Sequence, residues 1–230
     1  MPPNDTVICI PARWAARRLP GKLARDWRGR PVLSWALCAA RNAELGEVVL
    51  LADDNRLLEI GAAIPGVRCL RSTAPARNGS ERIAAALAAG ELGSPRRIVN
   101  VQGDAVGVTP AAIRTAAGAL GTSGLPLATV AVPAVDDAHG RTTVDVRPGP
   151  PVHAAAFSRD PRWPFLHVGI YAYDPGILAT VAALPPGPQE AAVSLEQLRW
   201  LEHGYGVAVA VLDAPAAVAD AVDVGRDLRD

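Results

Sequence analysis

The sequence contains almost no lysine. Lys22 is the only lysine among the 23 lysine and arginine residues, so arginine supplies nearly all of the positive charge. A lysine ammonium is a compact, strongly hydrated point charge, whereas the guanidinium of arginine is a planar fork, and the two groups are not interchangeable at a built site. Lys22 lies in a loop that contains glycine, proline and several arginines. We therefore expect it to contact a ligand; the alternative is a solvated basic loop.

The sequence also has few cysteines, no excess of charge of either sign and no long apolar run. Cys9, Cys38 and Cys69 lie far apart without the spacing of metal ligands, and we interpret them as small hydrophobic residues. Lys and Arg balance Asp and Glu at 23 each, so no overall field attracts nucleic acid or a membrane. The chain shows no signal peptide and no stretch of about 18 apolar residues. We expect a cytoplasmic protein without a nucleic-acid or membrane partner.

Positive charge is nevertheless concentrated in one segment, residues 13–30, which contains a single acid, Asp26. Its basic residues are Arg13, Arg17, Arg18, Lys22, Arg25, Arg28 and Arg30. The segment follows a short apolar run, 6–10, that is typical of a buried first strand. In an open α/β sheet, a loop at the end of such a strand is where a phosphate-bearing ligand binds. The pattern indicates a protein that binds small anions.

The alternation of strands and helices predicts an α/β fold with one domain over residues 1–230. The first half, about 1–133, alternates βα units, which favours a three-layer, mostly parallel, Rossmann-like sheet. The second half, about 134–230, is less regular and predicts a small, reduced second lobe. Its clearest helix is predicted over 194–202, with a capping box formed by Ser194 and Gln197.

Polar residues follow three of the predicted strands at their carboxyl ends. They are the basic loop after the first strand, Asp53-Asp54 after the second, and Gly103-Asp104 after the fourth. These ends converge on one crevice in a doubly wound sheet. Cations that face carboxylates suit a nucleoside triphosphate with Mg²⁺. Asp53 and Asp54 are equally well explained as helix N-caps.

Six motifs occur together and in order along the chain. They are RxxxxRLPGK at 13–22, NGSER at 78–82, NVQGD at 100–104, HVGIYAY at 167–173, LEQLR at 195–199 and Val222-Asp223. Over essentially its whole length the chain thus resembles the CMP-KDO synthetase family, the 3-deoxy-manno-octulosonate cytidylyltransferases. The resemblance implies a nucleotidyltransferase fold, transfer of CMP from CTP to an acidic acceptor with release of pyrophosphate, and a homodimer.

The resemblance also assigns roles to individual residues. Lys22, Arg13 and Asp104 are expected to be catalytic, and Asp104 and Asp223 to hold Mg²⁺. The residues expected to bind CTP are Pro11, Ala12, Arg13, Arg18, Lys22, Asp53, Asn78, Gly79, Ser80, Arg82 and Gln102. The residues expected to bind the acceptor are Arg17, Gln102, Arg159, His167, Tyr171, Glu196 and Gln197.

The chain departs from the family pattern at several positions. Ala16 replaces a hydroxyl residue, Ala76 replaces a histidine, and Ala105-Val106 replaces Glu-Pro. The link between Arg159 and His167 has only seven residues, fewer than the family's loop. These changes favour a small phosphonate acceptor such as phosphonoformate, as in a branch of the family from phosphonate-antibiotic pathways. KDO is the alternative acceptor. A degenerate nucleotide-binding protein is the alternative of another class, against which the retained Lys22 and acids argue.

Overall fold

A computed structural model describes residues 5–15, 19–134 and 140–220 of the chain. Nine strands form the main sheet: β1 (Thr6–Ala12), β4 (Glu47–Ala52), β5 (Val67–Arg71), β6 (Arg97–Val101), β7 (Leu127–Pro133), β8 (Thr143–Arg147), β9 (His153–Ser158), β10 (Phe165–Tyr173) and β11 (Val207–Val211). Two short strands, β2 (Asp26–Trp27) and β3 (Arg30–Pro31), form a separate hairpin. The helices are α1 (Val32–Asn42), α2 (Asn55–Ala62), α3 (Gly79–Ala88), α4 (Pro110–Ser123), α5 (Pro175–Ala183), α6 (Pro188–Val193) and α7 (Glu196–Glu202).

The main sheet is mixed, and the prediction of a mostly parallel sheet is wrong. Its strand order is β5-β4-β1-β6-β10-β7-β11-β9-β8. The predicted parallel pairing holds from β5 to β6, but β10 runs antiparallel to β6, β7 and β8. The direction of β10 is set by its pairing with β6 and β7, because a buried apolar strand has the same composition in either direction. The hairpin of β8 and β9 continues the same sheet.

Two cores lie on opposite faces of the sheet, which confirms the three-layer arrangement. Ile8 and Ile10 of β1 face the core that contains α1, α2 and α4. Val7 and Cys9 alternate with them and face the core that contains residues of α3, α5 and α7. Successive side chains of a strand point to opposite faces, so both sides of the sheet carry helices. Helices on both faces leave the carboxyl ends of the parallel strands available for a site.

The second half differs in detail from its predicted pattern. Helices α5 and α6 were not predicted, and α7 begins at Glu196, without the capping box expected at Ser194. Ser194 instead has a positive φ of 55° and ends α6. A hydroxyl residue before an apolar run is thus not sufficient evidence for a helix N-terminus. The second lobe stays a prediction. None of the helices in the described part of the chain is long and apolar enough to span a bilayer.

Candidate active site

A polar cleft opens at the carboxyl ends of β1 and β6, beside the N-terminus of α3. Its volume is about 590 Å³, counting the space open to solvent. The residues that line it are Pro11, Ala12, Arg13, Ala76, Arg77, Asn78, Gly79, Arg82, Gln102 and Glu196. Seven of these residues were predicted to bind CTP, and Gln102 and Glu196 were predicted to bind the acceptor. The fold therefore brings together residues from five separate stretches of the sequence.

Lys22 and Asp104 form an ion pair between the basic loop and the turn that follows β6. Their side chains are 15% and 29% exposed, so both can still reach a ligand. Gly21 has a φ of 72°, a left-handed conformation that favours glycine, and it precedes a single 3-10 turn at Lys22–Ala24. Leu23 in that turn is buried and anchors it. The buried turn thus holds Lys22 in place beside Asp104, which is 82 residues away in the sequence.

Asp53 joins the first loop to α3. Its carboxylate accepts a hydrogen bond from the backbone N–H of Trp14 at 2.8 Å and contacts Nη2 of Arg82 at 3.3 Å. Asp54, in contrast, caps α2 by accepting from the backbone N–H of Arg56. Of the two alternatives for this Asp-Asp pair, the helix N-cap applies to Asp54 and a place at the candidate site applies to Asp53. Asp54 has a structural role, and Asp53 supports the cleft.

Arg82 brings an unsatisfied buried donor to the cleft, although its charge is paired with Asp53. Its side chain is 7% exposed, and its Nη1 atom is buried without a hydrogen-bond partner among the described residues. A buried charged donor without a partner is costly unless a ligand satisfies it. Because Arg82 lines the cleft, Nη1 is suited to donate to an anionic or carbonyl oxygen of a bound molecule.

The N-terminal end of α3 also faces the cleft, through Asn78 and Gly79. Asn78 caps the helix, because its side chain accepts from the backbone N–H of Glu81 at 2.9 Å. A helix N-terminus carries partial positive charge and unpaired N–H groups, which favour an anion. Glu81 also accepts from the backbone N–H of Arg77 at 2.7 Å, so the loop before α3 is held in place. Arg13 reaches the same loop, at 3.5 Å from the carbonyl oxygen of Arg77.

Replacing Gly79 with alanine tests whether this helix end must lie so close to β1. A Cβ atom at Gly79 would lie 2.8 Å from Cγ of Pro11, which is too close without displacement of the helix. We expect Gly79→Ala to lower the free energy of unfolding by about 1–3 kcal/mol and to raise KM for the nucleotide more than it lowers kcat. The matched control is Gly118→Ala in α4, where no atom lies within 4 Å of the added Cβ. This control should raise stability by about 0.5–1 kcal/mol. Equal KM values for the two variants would contradict the prediction.

His167 is buried and neutral. Thr129 donates its hydroxyl proton to the carbonyl of Ile170 at 2.6 Å, so Nε2 of His167 must donate to the Thr129 oxygen, 2.9 Å away. Burial, and secondarily the positive charge of Arg159, lower the pKa of His167 to about 3. His167 packs against Phe157 and Tyr171, with ring centroids 5.4 and 5.2 Å apart. It can therefore accept a hydrogen bond at Nδ1, but it does not supply a positive charge at neutral pH.

Glu196 is the titratable carboxyl group of the cleft. Its pKa is raised from 4.5 to about 7, chiefly because burial disfavours the charged form. A hydrogen bond from Ser80 and the charge of Arg199 act in the opposite direction. Its Oε1 atom is buried without a hydrogen-bond partner among the described residues. Perturbed carboxyl groups of this kind are common at functional sites.

The raised pKa of Glu196 predicts a pH-dependent effect of Glu196→Gln on stability. Ionisation of a carboxyl group whose folded pKa exceeds its unfolded pKa costs stability, and this loss accumulates between about pH 4.5 and 7. We expect Glu196→Gln to match the stability of the wild type at pH 4. At pH 8 its free energy of unfolding should be higher by on the order of 2 kcal/mol, which raises its melting temperature. Thermal melts across this pH range measure the effect. Glu59→Gln on the exposed surface of α2 is the control. An identical pH dependence of stability for both variants would show that ionisation of the buried Glu196 does not cause the effect.

The other predicted acceptor residues lie close to these groups. Tyr171 is 8% exposed and Gln197 is 4% exposed, and Arg159 donates to the carbonyl of Gly140 at 3.2 Å. The hydroxyl of Ser80 is buried against Tyr173 rather than in the cleft. Ser80 could therefore reach CTP only through its backbone. Three further predicted residues, Arg17, Arg18 and Asp223, lie outside the described residues.

Sequence reasoning missed three residues that support the site. Trp14 accepts at its carbonyl from the backbone N–H of Gly21 at 2.8 Å, which closes the basic loop, and Arg56 stacks on its ring at 3.4 Å. Tyr173 bonds to Ser80, behind the cleft. Trp14 directly follows Arg13, and a tryptophan inside a charged loop is a signal that could have identified it.

Comparison with known proteins agrees with this geometry. The sequence model of the family described as Cytidylyltransferase matches residues 7–146. A 3-deoxy-manno-octulosonate cytidylyltransferase of Rhodospirillum centenum is 37% identical over 239 residues, which cover 97% of this chain and 92% of the relative. Another from Vibrio cholerae serotype O1 is 36% identical over 241 residues, covering 96% and 94%. The solved structure of CMP:2-keto-3-deoxy-manno-octonic acid synthetase complexed with CTP superposes with a TM-score of 0.80 at 28% identity, covering 92% of this chain and 91% of that one.

The chain has a mixed α/β sheet with a polar cleft at the ends of β1 and β6, and its family model makes it a cytidylyltransferase, a class of nucleotidyltransferase. The chain belongs to the cytidylyltransferase family, within the group formed by the CMP-KDO synthetases. The predicted enzyme class is confirmed.

Proposed function

We propose that this cytidylyltransferase transfers CMP from CTP to 3-deoxy-manno-octulosonate, with release of pyrophosphate. The observation that carries the proposal is the match to a 3-deoxy-manno-octulosonate cytidylyltransferase over 97% of the chain. That match includes the half beyond residue 134. This half contains all but one of the described residues that are predicted to bind the acceptor. The remaining residue, Gln102, packs across Gly169 of β10, because a Cβ atom at Gly169 would lie 3.3 Å from its Cγ.

The residues of the cleft would bind and orient the triphosphate. Lys22 and Arg13 offset the charge of the phosphates, and the N-terminus of α3 and Nη1 of Arg82 supply further donors. Reaction at the α-phosphate needs the acceptor oxygen in line with the departing pyrophosphate, so positioning contributes most of the catalysis. The glutamine and glutamate on the other wall, Gln102 and Glu196, would orient the acceptor.

The donors present fit Mg²⁺. Asp104 is a partly exposed carboxylate in the turn after β6, and Mg²⁺ is usually bound by one or two carboxylates together with substrate phosphates. The described residues contain no cluster of three or more His, Cys, Asp or Glu that would hold a metal without substrate. The second acid that the family resemblance assigns to the metal, Asp223, lies outside the described residues. When bound, the ion would polarise the α-phosphate and lower the pKa of the acceptor hydroxyl.

A small phosphonate is the second candidate acceptor. The observation that favours it is the short connection from β9 to β10, where Asp160 and Arg162 form a compact ion pair in the turn. Such a turn leaves little chain to cover an eight-carbon sugar. A phosphonate oxygen is already anionic at neutral pH and needs no base. Arg159 beside the turn could supply paired donors to it.

The test is pyrophosphate release from CTP and Mg²⁺ in three parallel assays, with 3-deoxy-manno-octulosonate, phosphonoformate or buffer as acceptor. Faster release with the sugar acid, together with formation of its CMP ester, is the expected result. Faster release with phosphonoformate would replace the proposed acceptor with the second candidate. If release equals the buffer control with both acceptors while CTP still binds, the chain is a nucleotide-binding protein without turnover. UTP and ATP serve as nucleotide controls, because equal rates with them would contradict selection of cytosine.

A further inference from the structure

The two aspartates that follow β4 hold Trp14 of the basic loop from the same strand end. Oδ1 of Asp53 accepts from the backbone N–H of Trp14 at 2.8 Å. Asp54 binds the side chain of Arg56 through two hydrogen bonds, of 2.8 and 2.7 Å. The guanidinium carbon of Arg56 lies 3.4 Å from the centroid of the Trp14 ring. The backbone and the ring of Trp14 are therefore both held by groups on this strand end.

Trp14 in turn closes the basic loop onto itself. Its carbonyl accepts from the backbone N–H of Gly21 at 2.8 Å. A Cβ atom at Gly21 would lie 2.8 Å from Cζ2 of the Trp14 ring, so a larger residue there would displace the ring. Arg13 directly precedes Trp14, and Lys22 directly follows Gly21. The two cations predicted to bind the triphosphate therefore flank a contact that Trp14 fixes.

The second oxygen of the Asp53 carboxylate contacts α3. Oδ2 lies 3.3 Å from Nη2 of Arg82, a side chain that is 7% exposed. A buried guanidinium needs a partner for its charge, and contact at Nη2 orients its planar group. Nη1 of Arg82 has no hydrogen-bond partner among the described residues. The described residues that line the cleft include Arg82 but not Asp53. One carboxylate thus holds a cation of the cleft without lining the cleft itself.

Helix capping does not account for Asp53. The N-cap of α2 is Asp54, whose side chain accepts from the backbone N–H of Arg56. The partners of Asp53 instead lie 39 and 29 positions away in the sequence, at Trp14 and Arg82. Both belong to segments that contain residues predicted to bind CTP. The carboxylate therefore joins two parts of the nucleotide side of the cleft.

We infer that Asp53 is a positioning residue for the triphosphate of CTP, which holds the basic loop through Trp14 and orients Arg82. This role differs from the direct contact with CTP that the family resemblance predicts for Asp53. The inference rests on the proposed binding of CTP in the cleft, but it does not depend on which acceptor reacts.

The first test is calorimetry of Mg·CTP binding to variants of Asp53. Asp53→Asn keeps an oxygen that can accept from Trp14 but removes the charge that faces Arg82. We expect it to raise the Kd of Mg·CTP about tenfold, because an oriented charged donor is lost. Asp53→Ala removes both contacts and should raise the Kd further. Asp174→Asn is the matched control, since Asp174 caps α5 beyond the antiparallel strand β10, at the opposite edge of the sheet. It should bind Mg·CTP like the wild type.

Steady-state kinetics separate positioning from a general loss of structure. In Asp53→Asn the KM for CTP should rise by a factor similar to that of the Kd, while kcat should change by less than about threefold. The split is expected because the carboxylate acts on binding groups and does not touch the reacting atoms.

A double-mutant cycle tests whether Asp53 acts through Arg82. Arg82→Ala should itself weaken Mg·CTP binding. Adding Asp53→Asn to Arg82→Ala should weaken binding little more, because the carboxylate then has no guanidinium to orient. Additive losses in Kd would overturn the inference, since Asp53 would then act independently of Arg82.

A wild-type Kd in both Asp53→Asn and Asp53→Ala would also overturn the inference. If Asp53→Ala fails to fold, Asp53→Asn decides the question, because it retains the shape of the side chain. The expected pattern of Kd values without turnover of any acceptor would support the inference and contradict the proposed function. A wild-type protein that does not bind Mg·CTP would contradict both.

Discussion

Asp104→Asn is expected to lower turnover about a thousandfold or more while the fold stays intact. Asp104 is the one described carboxylate that is predicted to hold Mg²⁺, and asparagine removes its charge with almost no change in shape. The ion pair with Lys22 is partly exposed, so its loss should cost at most about 1 kcal/mol of stability. Steady-state kinetics, calorimetry of Mg·CTP binding and thermal melts measure the three effects separately.

Asp213→Asn is the matched control, because Asp213 is an exposed carboxylate on the C-terminal side of β11. It should retain wild-type turnover. Asp223→Asn should reproduce the loss seen for Asp104→Asn if both acids bind the same ion. Normal turnover and unchanged Mg·CTP binding in Asp104→Asn would remove this residue from the metal site.

Lys22→Ala is expected to lower kcat/KM for CTP by about 30- to 1,000-fold, which corresponds to about 2–4 kcal/mol of transition-state stabilisation. The lysine is the cation paired with Asp104, and the 3-10 turn that begins after Gly21 and buries Leu23 holds it in place. Lys22→Arg should recover only part of the loss, because a planar fork does not reproduce a compact ammonium group. Wild-type kcat/KM in Lys22→Ala would exclude the residue from catalysis.

Because Lys22 and Asp104 are in contact, a double-mutant cycle can measure the coupling between them. Residues in contact rarely contribute additively, so the double variant should lose less activity than the product of the two single losses. Arg25→Ala in the same loop should combine additively with Asp104→Asn if the coupling is specific to Lys22. Strict additivity for Lys22 and Asp104 would mean that their ion pair does not persist in the catalytic complex.

The residues predicted for the nucleotide half of the site were found from local signals in the sequence. A strand end followed by a basic loop indicated Lys22, and a strand followed by Gly-Asp indicated Asp104. Asn78, predicted only as a nucleotide-binding residue, caps α3 in the structure by accepting from the backbone N–H of Glu81. Each of these signals depends on residues close in the chain, where backbone geometry and hydrogen bonding act directly.

The antiparallel insertion of β10 was not predictable from the same signals. The segment 165–173 has the composition of a buried strand in either direction, and only its pairing with β6 and β7 sets its direction. Helices α5 and α6 were missed because their caps, Asp174 and Gly187, precede proline-containing segments that are equally typical of turns. The acceptor side of the site depends on these elements, so its details were less accessible.

The sequence by itself determined the cytidylyltransferase family, because the motifs that carry it are short and each has a direct physical meaning. Only the tertiary structure decided the pKa of Glu196 and the buried hydrogen bond of Ser80. Burial is the main cause of the raised pKa of Glu196, and the hydrogen bond between Ser80 and Tyr173 joins residues 93 positions apart. Desolvation depends on everything packed around a group, and no local pattern in a sequence contains that information.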